Sequence, residues 1–384
     1  MTPGELPTLN IAPQLDRISP SRFVALNGCT LRELWATSDQ SPLLPASPRA
    51  RLGTIVHRLL KLASNGLPVS GEESIEKAWS GFVFDVESRM SSSWIEQSLV
   101  PLSRTVNDFE VQRLRAWNRA MQLMQPASPA EERAVEQTGF GCEIWVQSTD
   151  GAVGGYIDAV YQGESGRVIR DFKTGPILEE NGNDETIIDS DYLVQIKLYA
   201  ALYRETFGLW PTHVELMPVQ GEALRTAVDQ GECEELLQAA KRKRSDVNNR
   251  IRAALLKGRD GVPTLASPSV SNCRFCLWRP GCRAYRDESE AVGSSDWPPD
   301  VQGTVTALQP LGNGRLLLIV RDKEGMEKRV RQLDPSPNRH PALAKLSLGT
   351  RVGIYNTRRS LSQNDCMETN STTIYRMTDE CPRI

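Results

Sequence analysis

Residues 154–175 read GGYIDAVYQGESGRVIRDFKTG, and this stretch decides the fold. Two apolar runs flank the turn-forming residues 162–166, which is typical of two strands joined as a hairpin. The first run contains Asp158, and the second ends with Asp171 and Lys173. Positions i and i+2 of a strand point to the same face, so Asp171 and Lys173 project together. Pairing of the strands then brings Asp158 alongside them.

These three side chains have the chemistry of a divalent-cation site. Two carboxylates offer the hard oxygen ligands that Mg²⁺ and Mn²⁺ prefer, and such an ion activates water and polarises a phosphodiester. The backbone carbonyl of Phe172 is a further candidate ligand. Lys173 could position or deprotonate the water, or neutralise charge on the phosphate. An isolated Asp-x-Lys is usually solvent-facing, but Asp158 lies in an apolar run, where an acid without a partner is costly.

The region around this hairpin predicts an α/β core, with a mixed central sheet flanked by helices. It comprises residues 1–285. Apolar periodicity indicates the elements of this region. The predicted helices are 20–36 (interrupted at Gly28 and Cys29), 51–63, 72–89, 108–125, 192–206 and 233–257, and the predicted strands are 139–147, 153–161, 167–173 and 212–219.

The C-terminal part has a different pattern. Residues 286–299 are polar and rich in Ser, Gly and Pro, which predicts a linker. Residues 300–384 contain five short strand-like runs separated by turn residues. Five strands in this length predict a small β-barrel, and their number is that of an OB-like barrel.

Four of the eight cysteines are spaced like ligands. Cys273, Cys276 and Cys282 form a C-x2-C-x5-C pattern, and Cys29 is the best candidate for a fourth ligand. Four thiolates without a nearby histidine favour a [4Fe–4S] cluster, although spacing alone does not separate it from zinc. Such a centre would close a long loop and restrict the unfolded chain.

Composition and charge restrict the class of protein. No apolar run reaches the length of a membrane helix, and the N-terminus lacks the features of a secretory signal, so a cytoplasmic protein without a membrane partner is expected. The formal net charge of −3 argues against a uniformly basic surface. Residues 241–259 carry eight basic side chains against one acid, as either a phosphate-binding face or an ordinary solvated helix. A phosphate-cradling P-loop is missing from the sequence, so no ATP motor is encoded.

The order of motifs resembles the RecB-like PD-(D/E)XK nucleases. The pattern G-x-x-D followed by D-F-K-T-G is similar to the active-site signature of that family. GTIVHRLL (53–60) resembles its upstream helix, which implies that His57 joins the metal site. QIKLY (195–199) resembles the family's Q-x-x-x-Y motif, which implies that Gln195 and Tyr199 lie near the active site and contact DNA.

The cysteine pattern is similar to that of the iron–sulfur branch, which includes the AddB nuclease domain and CRISPR-associated cluster-bearing exonucleases. The resemblance covers about residues 20–285 and implies a restriction-endonuclease-like core with an iron–sulfur staple. It implies a Mg²⁺- or Mn²⁺-dependent deoxyribonuclease acting on single-stranded DNA or duplex ends, in repair or antiviral defence beside a separate helicase or ATPase. The implied metal ligands are His57, Asp158, Asp171 and the carbonyl of Phe172.

Other interpretations of these residues stay open at this point. His57 could be a polar position on an amphipathic helix, and Tyr199 could be a core residue. Glu132, Glu136 and Glu143 precede Asp158, and nothing in the sequence selects one of them as a metal ligand. The whole chain could instead be a catalytically idle iron–sulfur scaffold that binds DNA, or a zinc-binding RNA-processing factor.

Overall fold

The computed structural model describes residues 2–38, 40–65, 72–124, 139–175, 177–180, 186–292, 296–360 and 365–377. Helices predicted from apolar periodicity are confirmed, including the interruption between the first two. The helices are α1 (Pro20–Gly28), α2 (Thr30–Thr37), α3 (Pro48–Ser64), α4 (Glu72–Ser91), α5 (Leu102–Thr105), α6 (Phe109–Leu123), α7 (Ser190–Phe207), α8 (Gln230–Leu256), α9 (Val270–Arg274) and α10 (Arg283–Val292). None of them is long and apolar enough to cross a membrane.

A five-stranded mixed sheet forms the centre of the first 285 residues. Its strands are β1 (Gly141–Gln147), β2 (Gly154–Gly163), β3 (Gly166–Lys173), β6 (His213–Pro218) and β7 (Leu224–Ala227), in the order β1-β2-β3-β6-β7. Only the β3–β6 pair is parallel among the pairs of this sheet. Helix α7 lies in the crossover between β3 and β6, as expected for a parallel connection.

Helices cover both faces of this sheet, and two of them carry predicted site residues. On one face, Phe172 and Met217 pack in a core with residues of α3, α4 and α6. On the other, Ile157 and Ile169 pack against α7 and α8. Helix α3 begins at a cap where the Ser47 side chain accepts from the backbone N–H of Ala50, and Pro48 occupies its first position.

Some elements differ from the predictions. The polar segment after β3 contains a small hairpin of β4 (Leu178–Glu180) and β5 (Thr186–Ile188). Strand β7 was not predicted, because four residues give too short a pattern. The predicted linker, 286–299, begins inside α10, and Trp297 is buried in the core. The division into two domains therefore remains a prediction.

The C-terminal segment forms a seven-stranded sheet, in which all five predicted strands are present. Its strands are β8 (Val301–Pro310), β9 (Leu316–Arg321), β10 (Glu327–Leu333), β11 (Arg351–Tyr355), β12 (Arg358–Arg359), β13 (Asp365–Met367) and β14 (Thr373–Arg376). The order β12-β13-β10-β9-β8-β11-β14 shows no pairing between its two end strands in the described part of the chain. A closed, OB-like barrel is therefore not shown and remains a prediction.

A buried ion pair attaches this sheet to the cysteine-bearing segment. The side chains of Arg279 and Asp300 are each 3% exposed, and the Arg279 Nε lies 2.6 Å from the Asp300 Oδ2. The Tyr285 hydroxyl donates to the same carboxylate, and Arg279 also donates to Asn356 beside the C-terminal sheet. Burial lowers the pKa of Arg279, but the charge of Asp300 and its hydrogen bonds outweigh this and raise it. Arg279 therefore remains charged.

We expect Asp300→Ala to lower the free energy of unfolding by about 3–5 kcal/mol, because it leaves a buried guanidinium without its counter-charge. Asp287→Ala is the matched control, since Asp287 pairs with Arg283 on the exposed surface of α10. The control should change the free energy by less than about 1 kcal/mol. Urea unfolding measures both, and equal effects of the two substitutions would contradict the structural importance of the buried pair.

Candidate active site

The hairpin of β2 and β3 places the two predicted carboxylates next to each other. Ala159 of β2 pairs with Arg170 of β3, so the next position beyond this pair is an acid on each strand, Asp158 on β2 and Asp171 on β3. Both side chains are buried, with the two residues 7% and 5% exposed. The structure therefore brings together two acids that would repel each other without compensating partners.

Asp158 is held from the α3 side of the sheet. Its Oδ2 lies 2.9 Å from the Nε2 of His57 and accepts from the backbone N–H of Phe172 at 2.9 Å. Its Oδ1 lies 3.3 Å from the Nζ of Lys61. Burial raises the pKa of Asp158, but the hydrogen bond and charge of His57, with the Phe172 N–H and Lys61, outweigh it and hold the pKa below its ordinary value. Asp158 is thus kept ionised.

Asp171 is held from the α7 side. Gln195 donates from Nε2 to Asp171 Oδ1 at 2.9 Å, and its Oε1 accepts from the Nζ of Lys173 at 2.9 Å. The Lys173 Nζ also lies 2.8 Å from Asp171 Oδ2 and 4.1 Å from the ring centroid of Tyr192. Burial raises the pKa of Asp171 to about 6, with the charge of Asp158 adding to the rise and Lys173 opposing it.

Tyr199 lies one turn after Gln195 on α7 and is 6% exposed. Burial, with the charges of Asp171 and Asp158, raises the pKa of its hydroxyl, and a hydrogen bond with Gln195 opposes the rise. A Cβ atom on Gly155 would lie 3.2 Å from this hydroxyl, so the glycine permits close approach of strand and helix. In this position Tyr199 contacts Gln195 and supports its orientation.

Lys61 was not predicted as part of the site, and Glu143 was one of three acids among which the sequence does not choose. Lys61 lies one turn after His57 on α3 and bridges Asp158 to the carboxylate of Glu143, 2.9 Å from its Nζ. Glu143 has a φ of 53°, an unusual conformation for a residue other than glycine, and lies where β1 faces Asp158. The i, i+4 spacing of His57 and Lys61 was the available signal. Glu132 and Glu136 lie outside the described residues.

The donor set fits a hard divalent cation in its chemistry. Two carboxylates and one imidazole are ligands that Mg²⁺ or Mn²⁺ accepts. Within the described ranges, no group of three or more His, Cys, Asp or Glu side chains already has a metal-holding arrangement. The oxygens of Asp158 and Asp171 contact His57, Lys61, Gln195 and Lys173.

A comparison with family models identifies the superfamily of the chain. A family model described as "PD-(D/E)XK nuclease superfamily" matches residues 17–283, which is more than half of the chain. The chain belongs to the PD-(D/E)XK nuclease superfamily. It is also similar to a crystal structure of a candidate exonuclease from Eubacterium rectale, at 14% identity and a TM-score of 0.38, covering 62% of this chain and 82% of that one. A search of curated proteins gives no match.

The four cysteines predicted as ligands lie on segments other than those that carry the carboxylates. Cys29 lies between α1 and α2, and Cys273, Cys276 and Cys282 lie in and after α9. Burial raises the pKa of Cys276 to about 11 and that of Cys282 to about 12, and neighbouring thiols of the set add to both rises. Asn272 donates to the carbonyl of Gly28 and so joins the two segments. Among the described residues, no three thiols of this set have a metal-holding arrangement, so the cluster remains a prediction.

Three of the eight basic side chains of residues 241–259 contact other parts of the molecule. Lys241 lies 3.1 Å from Glu205, Arg244 donates to the carbonyl of Leu15, and Arg250 donates to Thr30. These contacts tie α8 to α7 and to the N-terminal segment. They weaken the interpretation of 241–259 as one phosphate-binding face.

We expect Mn²⁺ to raise the melting temperature of the protein near pH 8, and the rise should shrink as the pH falls through about 6, because protonation of Asp171 opposes metal binding. Without metal, the stability of the folded state depends on pH in the opposite direction. The folded state holds this proton more tightly than the unfolded state, so the group adds stability as the pH falls from above 6 towards 4. Thermal denaturation with and without Mn²⁺ measures both trends.

Asp171→Asn should remove most of the Mn²⁺-dependent rise, and Asp85→Asn, on the exposed surface of α4, should retain it. A rise of equal size in both variants would show that the ion binds elsewhere.

Proposed function

We propose that this chain is a Mg²⁺- or Mn²⁺-dependent deoxyribonuclease that hydrolyses phosphodiester bonds. The observation that carries the proposal is the convergence of Asp158 and Asp171 with His57 and Lys173 at the junction of β2, β3, α3 and α7. Buried acids of this kind are retained where they bind cations or act in catalysis. Membership of a nuclease superfamily supports the same reaction class.

Each residue has a role that its contacts support. Asp158, Asp171 and His57 would hold the cation, with the carbonyl of Phe172 as a further ligand. The cation would supply Lewis-acid activation of the phosphodiester and of water. Lys173 lies beside Asp171, where it can orient the water or neutralise charge on the phosphate. Gln195 fixes the orientation of Lys173 and Asp171, and Tyr199 supports Gln195.

The finer parts of the proposal concern substrate and partners. The enzyme is proposed to be an exonuclease that acts on single-stranded DNA or duplex ends. A separate helicase or ATPase is proposed to supply unwound DNA in repair or antiviral defence, because the sequence has no P-loop. The basic residues of the C-terminal sheet, which include Arg329, Arg351 and Arg358, are proposed to contact phosphates or a partner protein.

A [4Fe–4S] cluster on Cys29, Cys273, Cys276 and Cys282 is proposed as a structural centre. The support is chemical: Cys273, Cys276 and Cys282 are buried, Cys29 is partly buried, and the N–H of Tyr285 donates to the Sγ of Cys282 at 3.4 Å. A cluster would hold the four sulfurs as thiolates. It would clamp α1 and α2 to the segment that carries Arg279.

Asp171→Asn and Lys173→Met should each lower the rate of DNA cleavage by about a hundredfold or more, because the first removes a charged ligand of the cation and the second removes a positive charge beside the reacting phosphate. Lys77→Met, on the exposed face of α4, is the control and should cleave at the wild-type rate. Cleavage of end-labelled linear DNA in Mn²⁺ measures the rates. Circular single-stranded DNA tests the exonuclease assignment, because an exonuclease leaves it intact.

If the wild-type protein binds DNA but cleaves none of these substrates, the nuclease proposal is wrong and the chain is an idle binding subunit. Unchanged cleavage by Asp171→Asn would move the reaction away from this site.

Protein purified without oxygen should be brown and contain iron and acid-labile sulfide, and Cys276→Ser should lose both. Cys233→Ser, a buried cysteine of α8 outside the proposed set, should keep them. Iron and sulfide analysis together with a visible spectrum checks this. A colourless protein that holds zinc would show that the centre is not a cluster.

A further inference from the structure

An aromatic pair of which one ring is exposed lies beside the candidate active site. Trp145 of β1, which is half-buried, pairs with Tyr156 of β2, and their rings meet edge to face with centroids 4.8 Å apart. Tyr156 is 58% exposed, while its neighbours Gly155 and Ile157 are buried, as alternation along a strand requires. The ring of Tyr156 is a large aromatic surface that the core does not use.

The position of this pair relative to the carboxylates gives it meaning. Tyr156 precedes Asp158 by two residues on the same strand, so their Cα atoms lie about 7 Å apart. Ile157 packs in the core against α7, and Tyr156 therefore points away from α7. That is the side from which α3 brings His57 to Asp158. The exposed ring thus borders the approach to the acids.

A cation completes the surface. The guanidinium of Arg17 lies 4.7 Å from the centroid of the Trp145 ring, and Arg17 is itself exposed. Proteins that bind single-stranded nucleic acids place aromatic rings beside arginines, because bases stack on the rings and the cation attracts phosphates. Exposed aromatics without this context also occur, and Phe84 on α4, 72% exposed, is one of them.

We propose that Tyr156 and Trp145 form a stacking subsite for an unpaired base next to the phosphodiester that is cleaved. The occupant is a single strand, because the faces of bases within a duplex are covered by their neighbours. The inference rests on the proposed nuclease function and adds to it a residue pair that selects single strands. The edge-to-face contact holds the Tyr156 ring in place before a base arrives.

The test compares oligothymidylate with an abasic oligomer of the same length, both fluorescently labelled, in Ca²⁺ in place of Mn²⁺. Tyr156→Ala should weaken binding of oligothymidylate about tenfold, since stacking on one aromatic ring contributes in this range. The same variant should bind the abasic oligomer as the wild type does. Tyr156→Phe should restore most of the binding, and Phe84→Ala should leave both affinities unchanged.

Two results would overturn the subsite. Unchanged affinity of Tyr156→Ala for oligothymidylate excludes stacking, and an equal loss on both oligomers shows that the effect is not on a base. These outcomes are separate from the fate of the nuclease proposal, which the Asp171→Asn cleavage assay decides. A protein that never cleaves but whose binding depends on Tyr156 would retain the subsite and lose the nuclease function.

Discussion

Holding the carboxylates of Asp158 and Asp171 side by side in a buried part of the sheet is the constraint on which the rest of the structure depends. Two like charges in a region of low polarity are unfavourable unless cations and hydrogen-bond donors surround them. Helix α3 supplies His57 and Lys61 to one acid, while β3 and α7 supply Lys173 and Gln195 to the other. Two helices on opposite faces of the sheet therefore contribute side chains that compensate the two acids.

The two acids are therefore not equivalent. Asp158 has several donors and its pKa is lowered, so it stays charged through the neutral range. Asp171 is more completely buried and its pKa is raised to about 6. Asp158 is therefore ionised through the neutral range, while the ionisation of Asp171 changes near pH 6. Asp158 and Asp171 would hold a divalent ion, whose charge would offset their repulsion and link occupancy of the site to the stability of the fold.

Much of the core and the pair of acids could be predicted from the sequence, because their signals are local. The i, i+2 spacing of Asp171 and Lys173 and the glycine-bounded runs predict the hairpin, and long helices follow from their periodicity. The contact of His57 with Asp158 spans 101 residues, and only the family resemblance suggested it. Lys61 was not predicted, because its contact with Asp158 is also long-range and a lysine on an amphipathic helix normally faces solvent.

Other features could not be predicted because tertiary packing decides them. Tyr156 belongs to an apolar run, and only the fold shows that its ring is exposed while Ile157 is buried. Three basic residues of α8 contact α7 or the N-terminal segment, and the sequence does not separate such contacts from a phosphate-binding surface. The first part of the predicted linker is helical because it continues α10, which buries the side chain of Tyr285 near its start. Polar composition does not reveal this long-range effect.

The central claim is that Asp158 and Asp171 share a divalent cation. A crystal of the protein soaked in Mn²⁺ and measured for anomalous scattering tests it most directly. The account predicts an anomalous peak in contact with both carboxylates. A peak at another set of side chains, with the two acids still bound to His57 and Lys173, would contradict it.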